Sequence, residues 1–340
     1  METALTSSLL ERLAGERRSW LAGLAEQGLL RGELGPLRRL AWAQLLKVVT
    51  GDGIDAWGDE LDAHRQRYYD LVEGLKKETC VKSVDPNLAN PLSRNAANPF
   101  VKIQVNDELL KEIWKDVERT FPEVDMLAQE DSRKAIQRVL FHWCRSANPS
   151  QSASESYRQG MNELAAAMYA VVRWGEYREG APGDFDALGA RICGPQHTEA
   201  DAFTLFSRLM DLGLLSMFMP NKQTAAAMKQ AELAPGPLRP ARTSPENRPP
   251  ASAILARCLF INDTVLKASD PNLHTRLKKL EIEPQLFLLR WLRLLFCREY
   301  NLEDTLQLWD GVFADHYAGA WPGSLEYPIV GKPGDAVTAA

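Results

Sequence analysis

No stretch of this chain runs to eighteen consecutive apolar residues, so no segment has the length and hydropathy of a membrane-spanning helix. Near the start, Leu9-Leu10 meets Glu11 and Arg12 before the apolar centre of a secretory signal can form. Cysteine is scarce. The five thiols (Cys80, Cys144, Cys193, Cys258 and Cys297) are scattered, none forms a C-x-x-C pair, and none stands at zinc spacing from a histidine. That pattern argues against a disulfide framework and fits free thiols in a reducing, cytoplasmic compartment, where the Asn262-Asp263-Thr264 sequon stays unused. An excess of one charge is missing too: 40 basic and 45 acidic residues leave a net charge of −5, mixed along the chain. There is no basic face of the size a nucleic-acid binder needs. Where cations adjoin, as in Glu16-Arg17-Arg18 and Leu37-Arg38-Arg39, they read as solvated helix faces.

The motifs of a self-contained enzyme are also lacking. There is no G-x-x-x-x-G-K-[ST] phosphate loop, no G-x-G-x-x-G, no H-E-x-x-H and no G-x-S-x-G. Gly51-Asp52-Gly53-Ile54-Asp55 does not keep EF-hand spacing, and the five histidines lie far apart. No resident metal or cofactor is expected.

What is present is helical periodicity in a composition with 45% hydrophobic and 25% charged residues, an ordinary globular balance. Apolar residues recur at helical spacing over 6–31, over 36–49 after Pro36, and at Tyr68, Tyr69, Val72 and Leu75. The clearest stripe is Ile136, Val139, Leu140, Trp143 and Cys144, which predicts a helix over 131–145. Residues 160–173 and 284–297 are apolar on most sides, as expected of buried helices, the second starting at Pro284. Strand patterns bounded by Asn-Gly or Asp-Gly are missing. The expected fold is therefore all-α, a single extended multi-helix domain. Loops are expected over 79–100, over 146–156, and at 234–250, where six prolines predict a disordered insert. The expected organisation is a helical extension over 1–28, the domain over 29–315 and an irregular tail over 316–340.

Two segments could carry chemistry. In Ile113-Trp114-Lys115-Asp116-Val117-Glu118-Arg119-Thr120, followed by Phe121-Pro122, the proline ends a helix and leaves Arg119 at its terminus. Asp116, three residues earlier, could orient the guanidinium. In Tyr157-Arg158-Gln159-Gly160-Met161, a polar loop gives way to an apolar helix, with Gln159 at the entry beside a permissive glycine. Alone, the first reads as a solvated arginine favoured by the helix dipole. The second, alone, reads as a helix-start turn.

Together, Ile113-x-x-Asp116-x-x-Arg119-Thr120 and Tyr157-x-Gln159-Gly160 resemble the two signature motifs of the TBC domain family of Rab GTPase-activating proteins. Arg38-x-x-x-Trp42 resembles that family's opening helix. Asn90-Pro91-Leu92-Ser93, Asp201-Ala202-Phe203, the segment from Pro284 to Glu299 and Leu308-Trp309-Asp310 resemble the endosomal branch containing TBC domain family member five. The resemblance covers 29–315 and implies two residues supplied in trans to a Rab-family small GTPase in its GTP form. Arg119 is then the arginine finger and Gln159 the residue that positions the attacking water. Asp116 and Thr120 support the first, Tyr157 and Gly160 shape the loop of the second, and Arg38 and Trp42 join the first helix to the core. GTP and Mg²⁺ belong to the partner. On this reading the chain is not itself an enzyme but a GTPase activator, peripheral to endosomal or other vesicle membranes, and the branch adds an endosomal coat complex as a candidate partner.

The pattern departs from the family after Phe313-Ala314-Asp315, where His316-Tyr317-Ala318-Gly319 leads into a stretch without an apolar helix. The expectation is a truncated C-terminal lobe, with apolar surface exposed on the 284–297 helix. A Rab-binding or coat-binding adaptor with the same fold and weak catalysis is the alternative reading.

Overall fold

The computed structural model of the chain describes residues 5–15, 19–51, 53–79, 98–147, 156–178, 184–218 and 253–319. Among these residues the regular structure is helical, apart from an isolated parallel bridge between Leu5 and Tyr177. The helices form two compact units, one of Met1–Arg208 and Leu302–Tyr317 and another over 209–301.

The first unit begins with α1 (Ser7–Gly15) and α2 (Ser19–Glu26), so the loose stripe over 6–31 is two helices. Pro36 sits in a 3-10 turn (Gly32–Leu37) that feeds α3 (Arg38–Leu45). The long α4 (Ile54–Glu78) follows, then α5 (Pro99–Val117), whose start falls inside the expected 79–100 loop. There the Asn98 side chain accepts from the Phe100 amide at 3.1 Å and Pro99 takes the first helical position, where no N–H is needed. The short α6 (Asp125–Ala128) leads into α7 (Glu130–Ala147), which carries the predicted 131–145 stripe on a buried face. Residues 80–97, 148–155 and 219–252, which include the rest of that loop, most of the polar connection and the proline-rich stretch, lie outside the described residues.

Helix α8 (Met161–Trp174) is the axis of this unit, buried from Met161 to Val172 as its apolar composition predicts. Ala165, Ala166, Ala167 and Ala170 keep it slim, and α3, α5, α6 and α7 pack around it. Next along the chain come α9 (Asp184–Cys193) and α10 (Thr198–Leu209).

Arg38 and Arg39 correct the expectation of solvated faces: both are buried. Helical rotation turns adjacent residues to different sides, and each guanidinium meets a carboxylate far away in sequence. Arg39 donates to Asp201 Oδ2 at 2.5 Å and to the Cys193 carbonyl at 3.0 Å. Arg65 donates to both Asp201 oxygens at 2.8 Å, tying α3, α4 and α10 together. Desolvation pushes the Asp201 carboxyl up, but the hydrogen bonds and charges of Arg65 and Arg39 outweigh it and hold it below the usual carboxylate range.

Arg38 donates through Nε to both oxygens of Asp310 at 3.0 and 3.1 Å, and through Nη2 to the Leu30 carbonyl. Trp42 Nε1 donates to the same carboxylate at 2.7 Å, and its ring packs edge-on against Phe313 with centroids 5.0 Å apart. Asp310 and Phe313 lie on α11 (Leu302–Tyr317), the last helix of the first unit, which packs on α2 and α3. With one guanidinium instead of two, Asp310 is pushed up to about 6 by burial, against the pull of Arg38 and Trp42.

A second polar network joins α4, α7 and α10. Tyr68 donates to Glu199 and lies 3.1 Å from His142 Nδ1, and Arg138 donates to Glu199 at 2.6 and 2.9 Å. Burial lowers the His142 pKa from 6.5 to about 4.

In the second unit, the chain kinks at Gly213 (φ +98°) and the helix over Ala253–Phe260 packs on that over Gln285–Leu294. The latter helix is shorter than the expected 284–297, because Leu295 and Phe296 are left-handed (φ 46° and 66°) and end it. Nor is it buried all round: Leu288, Leu292 and Leu294 face inward, while Leu286 is 73% exposed. The four described cysteines, Cys144, Cys193, Cys258 and Cys297, are buried free thiols.

Asp310→Ala strands the Arg38 charge and is expected to cost about 3–5 kcal/mol in urea unfolding, most of it recovered in Arg38→Met/Asp310→Leu. His142→Gln is expected to lose its disadvantage on acidification. The folded imidazole titrates near 4 and the free one near 6.5, so unfolded chains take up that proton first as pH falls. Stability from neutral His142 is present above pH 6.5 and lost toward pH 4, at up to about 1.4 kcal/mol per pH unit relative to the variant, in denaturation curves across that window.

Candidate functional site

The regular part of α5 ends at Val117, and the backbone then tightens. Arg119 N donates to Asp116 O at 3.3 Å and Thr120 N to Val117 O at 3.1 Å, both i→i+3 bonds. Phe121 follows with a left-handed backbone (φ 43°), although it is a bulky residue preceding a proline. Such a conformation costs of order 1–3 kcal/mol, offset here by burial of the Phe121 ring. The stop expected of Pro122 is thus executed one residue earlier, and it leaves Arg119 on the last, loosened turn with its side chain 59% exposed.

Residues 158–161 form a turn closed by Met161 N donating to Arg158 O at 3.1 Å. Gly160, its third residue, has φ +102°, which glycine adopts freely and other residues resist. A positive φ there, after a residue of negative φ, is the pattern of a type II turn. Gln159 occupies the outer corner, exposed, at the point where the chain enters α8.

One carboxylate joins the two segments. Asp116 Oδ1 accepts from Arg119 Nη2 at 2.6 Å, and Asp116 Oδ2 accepts from the Tyr157 hydroxyl at 2.8 Å. Asp116 is buried, so this salt bridge has one solvated end and one fixed end. Burial, then the Asp116 carboxylate, push the Tyr157 phenol far above its ordinary range, and the hydroxyl remains a donor at any physiological pH. Thr120 Oγ1 donates to the Asp116 carbonyl at 2.7 Å. Asn162, in the first turn of α8, donates through Nδ2 to Thr120 Oγ1 at 2.8 Å, while its Oδ1 accepts from Gly160 N at 2.9 Å and lies 3.3 Å from the Tyr157 hydroxyl.

The result is an open cleft of about 550 Å³ lined by Asp116, Arg119, Tyr157 and Gln159 and by Glu108, Lys111, Glu112 and Lys115 of α5. The four α5 residues recur at i, i+3, i+4 and i+7, so one helix face leads directly to Arg119. Among the described residues no cluster of side chains could hold a metal ion, and no helix is long and apolar enough to cross a membrane.

Of the residues singled out in the sequence, Asp116, Arg119, Tyr157 and Gln159 line this cleft, and the buried Thr120 and Gly160 are tied to them by hydrogen bonds. Arg38 and Trp42 are not among its lining residues and meet Asp310 instead. Asn162 was missed. Its signal was a misfit: asparagine favours caps and turns over helix interiors, yet here it stands inside the start of an apolar helix.

The model of the Rab-GTPase-TBC domain family matches residues 37–232 and 243–321, spans that include both segments of the cleft. TBC1 domain family member 5 of Homo sapiens is 31% identical over 322 residues, covering 92% of this chain and 38% of that protein. TBC1 domain family member 5 homolog B of Dictyostelium discoideum is 26% identical over 369 residues, covering 82% of this chain and 34% of its own length. This chain therefore spans little more than a third of these curated relatives. Among solved structures, the Ypt/Rab-GAP domain of Gyp1p has the same fold, with a TM-score of 0.59 at 17% identity over 95% of this chain and 81% of that one. The chain belongs to the Rab-GTPase-TBC domain family.

Proposed function

We propose that this chain is a GTPase-activating protein for a Rab-family small GTPase in its GTP form, completing the partner's active site with Arg119 and Gln159. The observation that carries the reading is that these two exposed side chains, from separate segments, line one open cleft and share the Asp116–Tyr157 support.

In phosphoryl transfer charge spreads over the transferring group, so a protein assists by positioning and electrostatics. Arg119 fits that task. Its guanidinium offers a planar fork of donors, and Asp116 holds only Nη2, which leaves the remaining donors for phosphate oxygens. An arginine finger contributes about 10³–10⁵ in rate, or roughly 4–7 kcal/mol of barrier. The Gln159 amide both donates and accepts, so it can orient an attacking water in line with the phosphorus. GTP and Mg²⁺ are the partner's, and this chain acts as an activator that supplies residues in trans. Similarity to the member 5 relatives supports a place in vesicle and endosomal trafficking, peripheral to those membranes, with an endosomal coat complex as a further partner.

Single-turnover hydrolysis by a panel of purified, GTP-loaded Rab proteins tests this reading. Strong acceleration of one or a few is expected. Arg119→Ala should remove about 10³-fold or more of it, and Arg119→Lys most of it, because an ammonium lacks the planar fork. Gln159→Ala should cause a comparable loss with binding retained. Binding without acceleration, from protein folded by circular dichroism, would overturn the proposal and leave a Rab-binding adaptor.

A further inference from the structure

We infer that Asn162 is a positioning residue that couples Gln159 to Arg119, so that the two segments act as one rigid unit. The inference rests on the function proposed above.

Gln159 has no anchor at its own side chain among the bonds of the cleft. Its place is set by the turn around it, and that turn is held on two sides. The Met161 amide closes it toward α8, and the Gly160 amide, which faces inward because of the positive φ, donates to Asn162 Oδ1 at 2.9 Å. Asn162 is 2% exposed, and its Nδ2 is spent on Thr120 Oγ1 at 2.8 Å. Thr120 in turn donates to the carbonyl of Asp116, whose carboxylate grips Arg119. The donors and acceptors run one way round. Thr120 gives its proton to the Asp116 carbonyl and so can only accept from Asn162, which fixes the amide with Nδ2 toward Thr120 and Oδ1 toward Gly160. The Tyr157 hydroxyl, bonded to Asp116 at 2.8 Å and 3.3 Å from Asn162 Oδ1, closes a second arm of the circuit. Every member is buried except the two ends, Arg119 and Gln159, which project. A buried amide that satisfies the loop of one finger and the helix end of the other removes their independent motion.

The geometry has a kinetic signature. Loss of Asn162 frees the Gly160 amide and loosens the turn without altering the exposed lining of the cleft. Binding of the GTPase should persist while the reaction slows, since a displacement of about 1 Å is enough for a loss near 10²-fold. A residue acting through Gln159 should add nothing once Gln159 is gone.

The test compares wild type, Asn162→Ala, Gln159→Ala, the double variant, Thr120→Val and Thr120→Ser on a responsive GTP-loaded Rab, measuring affinity and single-turnover rate separately. Backbone hydrogen exchange at Gly160 is followed in the free proteins. Asn162→Ala is expected to lower the rate about 10–100-fold at unchanged affinity and to speed exchange at Gly160. The double variant should be no slower than Gln159→Ala, and Thr120→Ser should stay near wild type while Thr120→Val loses rate. Should Asn162→Ala fail to fold, Thr120→Val breaks the same link and carries the comparison. Losses that multiply in the double variant, or that fall on affinity alone, would overturn the inference. If wild type accelerates no Rab, the proposed function fails, and the coupling is then judged at Gly160, where unchanged exchange in both Asn162→Ala and Thr120→Val overturns it as well.

Discussion

The buried contact of Arg38 and Trp42 with Asp310 is the constraint on which the first unit depends. It spans 272 residues between guanidinium and carboxylate, and it returns the last helix of that unit to α3. Both ionised groups are out of water, so each is tolerable only while the other is present. Trp42 adds a hydrogen bond and an aromatic cluster with Trp309 and Phe313, which converts a pair of charges into a closed joint. Without it α2 and α3 would lose the helix they pack on, and α3 is one of the supports of α8, which follows directly on the turn that carries Gln159.

The same device recurs around the other carboxylates. Asp201 is shared by Arg39 and Arg65, and Asp116 by Arg119 and Tyr157. What differs is the number of cations and the access of water. Two buried guanidiniums hold Asp201 ionised, one leaves Asp310 with its carboxyl raised, and Asp116 leaves its arginine's far end in solvent. The first two are closed and act as joints. The third is open on one side, and that opening makes it a site.

The two projecting side chains of the cleft stand on irregular backbone: a helix end in i→i+3 turns followed by a left-handed phenylalanine, and a turn that requires glycine. Regular helix presents side chains in fixed directions along a face. Helix ends let one side chain stand clear of that face, and Arg119 and Gln159 each use such an end. The regular α5 and α8 beneath them, packed on each other, supply the rigidity that the ends lack.

Sequence alone determined the all-α class, the extents of α7 and α8, the helix end at Arg119 and the glycine-dependent turn beside Gln159. Each follows from local information: apolar period, proline's effect on its neighbour, and glycine's access to positive φ. The paired motifs also pointed to the family, because their order and spacing are local text. Only the tertiary structure decided what Arg38 and Arg39 do, since an arginine pair on a helix looks solvated until its carboxylates, 272 and 162 residues away, are brought to it. It likewise decided that Asn162 bridges two segments 42 residues apart. Burial and polar partnership are properties of how helices pack, and packing is a long-range outcome that local periodicity does not encode.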